Sequence, residues 1–313
     1  MPERTLVTGA LGCIGAWTVR ALLDAGDEPV GYDLGGEPHR LRLTTAPDEL
    51  AGLQLVNGDV TDLDALERVL DERGITRVIH LAALQVPFCK ADPVLGARVN
   101  VVGTVNVFEA VKRRLDRIPG VVYASTTAVY AAADPSPAPE TGGTRPMTHY
   151  GVYKLANEGT ARVYSADDGV PSLGVRPYVV YGPGRDQGMT STPTQAMAAA
   201  ARGEGFEITY GGTVQYDYAK DVGRAFVQAV GALGGGQGVF NFPGVAAPMA
   251  EVVAAIEAAA PEVAGRITWN DEPLPFPAEL ETGGLEAAIG PLARTPISDG
   301  VRETVERFRA TPP

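Results

Sequence analysis

From Thr5 to about Tyr178, short aliphatic and β-branched runs alternate with amphipathic stretches, a pattern that predicts a parallel sheet covered by helices on both faces. Six runs read as strands: Thr5–Val7, Pro29–Tyr32, Leu53–Val56, Arg77–His80, Val121–Ala124 and Leu173–Arg176. Between the first two, Ile14, Trp17, Thr18, Ala21 and Leu22 recur at helical spacing. Gly26 then reads as the terminator, because glycine enters the left-handed cap without strain. Longer helices are predicted by Val94, Ala97, Val101, Val105 and Phe108, and by the stretch from Tyr150 to about Tyr164. Their exposed faces are candidates for pairing subunits. Residues 131–148, rich in Pro, Ala and Gly, read as an irregular excursion between a strand and a helix of the same domain.

Past Tyr178 the periodicity loosens into a Gly/Ser/Thr/Pro-rich loop. A helix is expected near 195–202, strands near 206–210 and 239–242, and helices near 222–230 and 249–259. The fold class is therefore α/β: a doubly wound parallel sheet over 1–178, and a smaller C-terminal α/β domain over 179–313 for substrate, with the chain free to cross between them.

Composition narrows the partners. The chain has 313 residues, 45% hydrophobic and 20% charged, an ordinary globular balance. A net charge of −12 repels nucleic acid and anionic membrane surfaces. Cys13 and Cys89 are too few for a disulfide framework. No apolar run of roughly 18 residues reads as a membrane span, and no secretory signal opens the sequence. The expectation is a reduced, cytoplasmic protein.

The first strand runs into Thr8-Gly9-Ala10-Leu11-Gly12-Cys13-Ile14-Gly15, with glycines three and three apart where strand gives way to helix. In a Rossmann-type unit Gly9 permits the tight turn, Gly12 lets the backbone approach a pyrophosphate and Gly15 lets helix and sheet pack closely. Cys13 and Ile14 then lie beside the phosphates. Asp33, 18 residues beyond Gly15, ends the second strand, where its carboxylate can accept from ribose hydroxyls and would repel a 2′-phosphate. NAD is favoured over NADP, with Arg40 and Arg42 keeping the second open.

Tyr150 and Lys154 stand four apart, on one face of their predicted helix. A nearby ammonium and a positive nicotinamide would lower the phenol's pKa and make Tyr150 a general base. Tyr216 and Lys220 repeat the spacing at a strand-to-helix junction and read as a decoy. The hydroxyls of Ser125, Thr126 and Thr127 end the fifth strand, where open α/β sheets place their ligands, and one of them can hold the substrate oxygen.

With these segments, and with 57–62, 78–83, 100–104 and Tyr181-Gly182-Pro183, the chain resembles the extended short-chain dehydrogenase/reductase family, which includes the nucleotide-sugar epimerases and dehydratases, over nearly its whole length. The resemblance implies that Asp59 and Val60 line the adenine, Ala82 and Ala83 the ribose and phosphates, and Asn100 the pocket floor. It puts the catalytic hydroxyl on Thr126, beside Ser125, and implies a homodimer through the two long helices. Relatives usually carry an asparagine where this chain has Val179, an arginine where it has Val214, and a second arginine near its acidic Asp271 and Glu272. These departures shift the expected substrate toward a nucleotide-free sugar, sugar acid or polyol, with Gln85 and Arg185 as candidate contacts. No metal is expected. The leading expectation is NAD-dependent oxidation of a secondary hydroxyl. A sugar or nucleotide-sugar epimerase with retained NAD is the alternative, and a non-catalytic NAD-binding regulator the third.

Overall fold

In the computed structural model, which describes residues 2–311, all six expected strands form: β1 (Arg4–Thr8), β2 (Glu28–Asp33), β3 (Gln54–Asn57), β4 (Arg77–His80), β5 (Val121–Ala124) and β6 (Ser172–Arg176). Shorter strands follow: β7 (Val179–Tyr181), β8 (Phe206–Ile208), β9 (Thr213–Tyr218), β10 (Gln237–Asn241), β11 (Val245–Pro248) and β12 (Ile267–Trp269). The helices of the first half are α1 (Cys13–Asp24), α2 (His39–Thr44), α3 (Pro47–Gly52), α4 (Leu63–Glu72), α5 (Val86–Ala91), α6 (Pro93–Ala97) and α7 (Gly103–Lys112). The remainder are α8 (His149–Asp168), α9 (Thr192–Ala201), α10 (Ala219–Gly231), α11 (Met249–Ala259), α12 (Gly284–Ile289) and α13 (Ile297–Ala310).

Seven strands make one parallel sheet in the order β10-β6-β5-β4-β1-β2-β3. Successive side chains on a strand face opposite sides. Val78, Val121 and Tyr123 accordingly pack with Leu66, Val107, Phe108 and Ala161 of α4, α7 and α8. Ile79, Val122 and Val175 pack with Trp17 of α1 and with Val222 and Phe226 of α10. This two-sided burial explains why the strands are apolar almost throughout. Because the sheet is parallel and in register, with Thr8 opposite both Tyr32 and His80, the loops leaving β1, β2, β4 and β5 open along one edge.

A π-turn, Arg98–Val102, joins α6 to α7, so Pro93–Lys112 runs as one helix of 20 residues. Its mean hydropathy of 1.3 gives it the length and apolarity of a membrane span, which the sequence reading did not anticipate. Val107, Phe108, Ala110 and Val111 of this helix are packed in the core beneath the sheet. Past residue 178 the chain crosses back: α10 lies on α1, and β10 extends the large sheet beside β6. The smaller part is a β11-β9-β7 sheet and a β12-β8 pair, packed with α9, α11 and α13 around Tyr181, Met197, Tyr216, Ile256 and Phe308.

Candidate active site

A cavity of 720 Å³ follows the C-terminal edge of the large sheet, a volume ordinary for a small-molecule site. At its cofactor end Gly9 has φ 73°, and a Cβ there would stand 2.7 Å from Ala82 N. A Cβ on Gly15 would stand 2.1 Å from Gly9 O, so any side chain would push α1 off the loop. Gly12 caps α1 without a side-chain bond. The first amides of α1 have no intrahelical acceptor, and Gly12, Cys13, Ile14 and Gly15 line the cavity. Asp33 accepts from Leu11 N at 2.9 Å and from Leu34 N at 2.8 Å, with its carboxylate on the cavity wall. Asp59, Val60, Ala82 and Ala83 line the same stretch. A side-chain-free cradle at a helix N-terminus, with a carboxylate at the next strand end, fits a dinucleotide.

Several details depart from expectation. Asn100 does not line the cavity: it is fully buried in the π-turn, where Oδ1 accepts from Leu84 N and Nδ2 donates to Leu84 O. It fixes the backbone after β4 and forms no floor. Cys13 Sγ lies 3.9 Å from Pro183 O, and burial pushes its thiol up to about 11, so it is no nucleophile. Arg40 is held by Asp186 and by Leu11 O, and Arg42 by Glu37, so neither is free for a 2′-phosphate. His80 is a core group between Thr8 and Thr104, its pKa driven down to about 3 by burial and by Lys154.

At the other end, Gly151 lets the start of α8 lie against the Thr127–Val129 turn, since a Cβ would stand 2.1 Å from Ala128 O. That approach brings Tyr150 beside Thr126. Thr126 Oγ1 accepts from Ala128 N at 3.1 Å, which leaves its proton to donate outward. Lys154 is almost wholly buried and donates to Ala124 O at 2.7 Å, with Nζ 5.9 Å from the Tyr150 ring centroid. Burial pulls its pKa down to about 8. The expected lowering of the Tyr150 pKa is reversed in the chain alone: burial holds the phenol above its ordinary value, against the opposing pull of the Thr126 hydroxyl and of Arg185.

Gln85, Ser125, Thr126 and Arg185 all line the cavity. Ser125 is committed elsewhere, donating to Glu158 Oε1 at 2.5 Å. Glu158 in turn holds Arg176 through two 2.7 Å bonds, a buried pair beneath the site that the sequence reading passed over. Its signal was present: Tyr150, Lys154 and Glu158 form one i, i+4, i+8 stripe on α8. Val179 and Val214 are buried in the core of the smaller part, and Asp271 and Glu272 are exposed away from the cavity. The Tyr216–Lys220 pair is split between β9 and α10, with Lys220 on Glu303. Among the described residues no cluster of His, Cys, Asp and Glu could hold a metal.

Residues 5–242 match the NAD dependent epimerase/dehydratase family. The UDP-glucose 4-epimerase of Mycolicibacterium smegmatis is 31% identical over 98% of each chain. The UDP-glucose 4-epimerase of Thermus thermophilus, solved with NAD, superposes with a TM-score of 0.83 at 27% identity, covering 99% of this chain and all of that one. A partial-consensus L-threonine 3-dehydrogenase shares the fold with a TM-score of 0.85 at 23% identity, over 99% of this chain and 100% of its own.

Proposed function

The chain belongs to the NAD-dependent epimerase/dehydratase family and is an NAD-dependent enzyme, and from that premise we propose that it epimerises a secondary alcohol of a sugar-like substrate. Net oxidation, the leading expectation from sequence, gives way because a relative matched over 98% of each chain at 31% identity is a UDP-glucose 4-epimerase. The observation that carries the reading is the placement of Tyr150 and Thr126 at one end of the cavity whose other end is the glycine cradle. Gly9, Gly12, Cys13, Ile14, Gly15, Asp33, Asp59, Val60, Ala82 and Ala83 would hold NAD, which when bound supplies the hydride acceptor and, for epimerisation, the donor to the opposite face of the same carbon.

The protein's own part is proton control and orientation. Thr126 donates to the substrate oxygen. Tyr150 takes the proton of that hydroxyl and gives it back. The ammonium of Lys154 stands over the Tyr150 ring and favours the phenolate while it lasts. Burial of Lys154 keeps bulk water from its ammonium. The same reading takes the enzyme as a cytoplasmic homodimer. Its test is Tyr150→Phe: turnover falls at least about 10²-fold while NAD still binds. Full turnover by that variant would overturn the assignment.

A further inference from the structure

Two buried polar atoms of cavity-lining residues have no partner, Arg185 Nε and Gln85 Oε1, and Arg185 is near enough to Tyr150 to act on its phenol. They come from different walls. Arg185 belongs to the loop after β7, where its Nη2 reaches Thr190 Oγ1 at 3.2 Å, and Gln85 caps α5 at the loop after β4. Both pack against Gly188, where φ is 101° and a Cβ would stand 2.2 Å from Gln85 Oε1 and 3.0 Å from Arg185 Nη2. A guanidinium donor and an amide acceptor, both desolvated, are costly to leave unmade. The two walls, meeting at Gly188, therefore offer a bound molecule one cationic donor and one neutral acceptor.

Charge limits that molecule. Of the lysines and arginines lining the cavity, Lys154 is bound to Ala124 O and Arg40 to Asp186. Neither Lys154 nor Arg185 has a carboxylate partner among the described residues, but Lys154 is committed to the Ala124 carbonyl, which leaves the Arg185 guanidinium as the cation free for a ligand. One free guanidinium matches one carboxylate, and it meets half the charge of a diphosphate. Beyond Thr190 the only lining residue among those described is Phe276.

We propose that the substrate is a nucleotide-free polyhydroxy monocarboxylate, whose carboxylate is held by Arg185 and whose neighbouring hydroxyl donates to Gln85 Oε1. This rests on the alcohol chemistry assigned to Tyr150 and Thr126. It is separable from that assignment by measuring binding and conversion on the same samples.

The NAD-loaded protein is titrated calorimetrically with a panel of aldonates and uronates, with neutral D-galactose and with UDP-galactose, and each mixture is then analysed for product. At least one acid binds 10-fold or more tighter than either control. Arg185→Ala weakens that acid about 10- to 100-fold at unchanged NAD affinity, and Arg185→Lys recovers part of the loss. Gln85→Leu weakens the same acid several-fold, which a bare charge effect would not produce. Tighter binding of UDP-galactose than of any acid, or an acid affinity indifferent to Arg185→Ala, overturns the inference. An acid bound through Arg185 but never converted upholds it and removes the epimerase reading instead. Conversion of UDP-galactose alone does the reverse.

Discussion

Lys154 is the site residue whose burial has a consequence for stability that pH can read. Burial lowers its pKa from 10.5 to about 8, so between those values the unfolded chain binds more protons than the folded one. The penalty for burying the ammonium is complete below about 8 and fades as pH rises toward 10.5. Relative to Lys154→Met, the natural protein should therefore gain stability with rising pH through that window, read from urea midpoints. An identical difference at both ends of the window would contradict the burial argument. The Tyr150–Lys154 spacing was legible in the sequence because both ends lie within one turn of one helix. The direction of the Tyr150 shift was not, because burial in the folded chain outweighs the lowering pull of the Thr126 hydroxyl and of Arg185. Asn100 was placed in the pocket by resemblance, yet its side chain serves the backbone of Leu84, a bond that only the folded π-turn reveals.

Elements explain how the site is held closed. Loop 182–191 is tied across the cavity mouth to α2: Arg40 grips Asp186 through Nε and Nη2, and His39 Nε2 stands 2.9 Å from Asp186 Oδ2. Burial opposes ionisation of Asp186, but Arg40 and His39 outweigh it and hold the carboxyl below its usual range. Arg40 also donates to Leu11 O in the glycine loop, so the tie spans the place where the dinucleotide fits. Asp186→Asn should speed NAD release by several-fold, with the effect shrinking as salt screens the wild-type pair. Equal NAD dissociation from variant and natural protein would show that the tie does not retain the cofactor. Strand and helix positions were readable because apolar period fixes them locally. The tie was not, since its partners stand 147 residues apart and meet only after the sheet forms.

At the scale of the whole molecule, one face is left open. On α8, Val152, Ala156 and Val163 are exposed along a single stripe, and the neighbouring helix shows Val94, Leu95 and Val102. Tyr153 OH bonds Pro93 O and holds the two helices side by side. A second copy of the chain would bury both stripes, as the dimer expectation requires. Val102→Glu with Val163→Glu should convert a dimer to a monomer in sedimentation, and an unchanged mass would remove that interface. The sequence carried the alternation that builds the large sheet, but it did not show β10 returning to that sheet, because a five-residue strand so far from its partner β6 has no local signal of its neighbour.

The most direct test follows one reaction mixture to equilibrium with catalytic NAD and an accepted sugar-like substrate, measuring the epimer ratio and the reduced-nicotinamide absorbance together. The account predicts that a second epimer accumulates far beyond the amount of NAD present, with no net rise in absorbance. Reduced nicotinamide rising in step with substrate loss, and no second epimer, would contradict it.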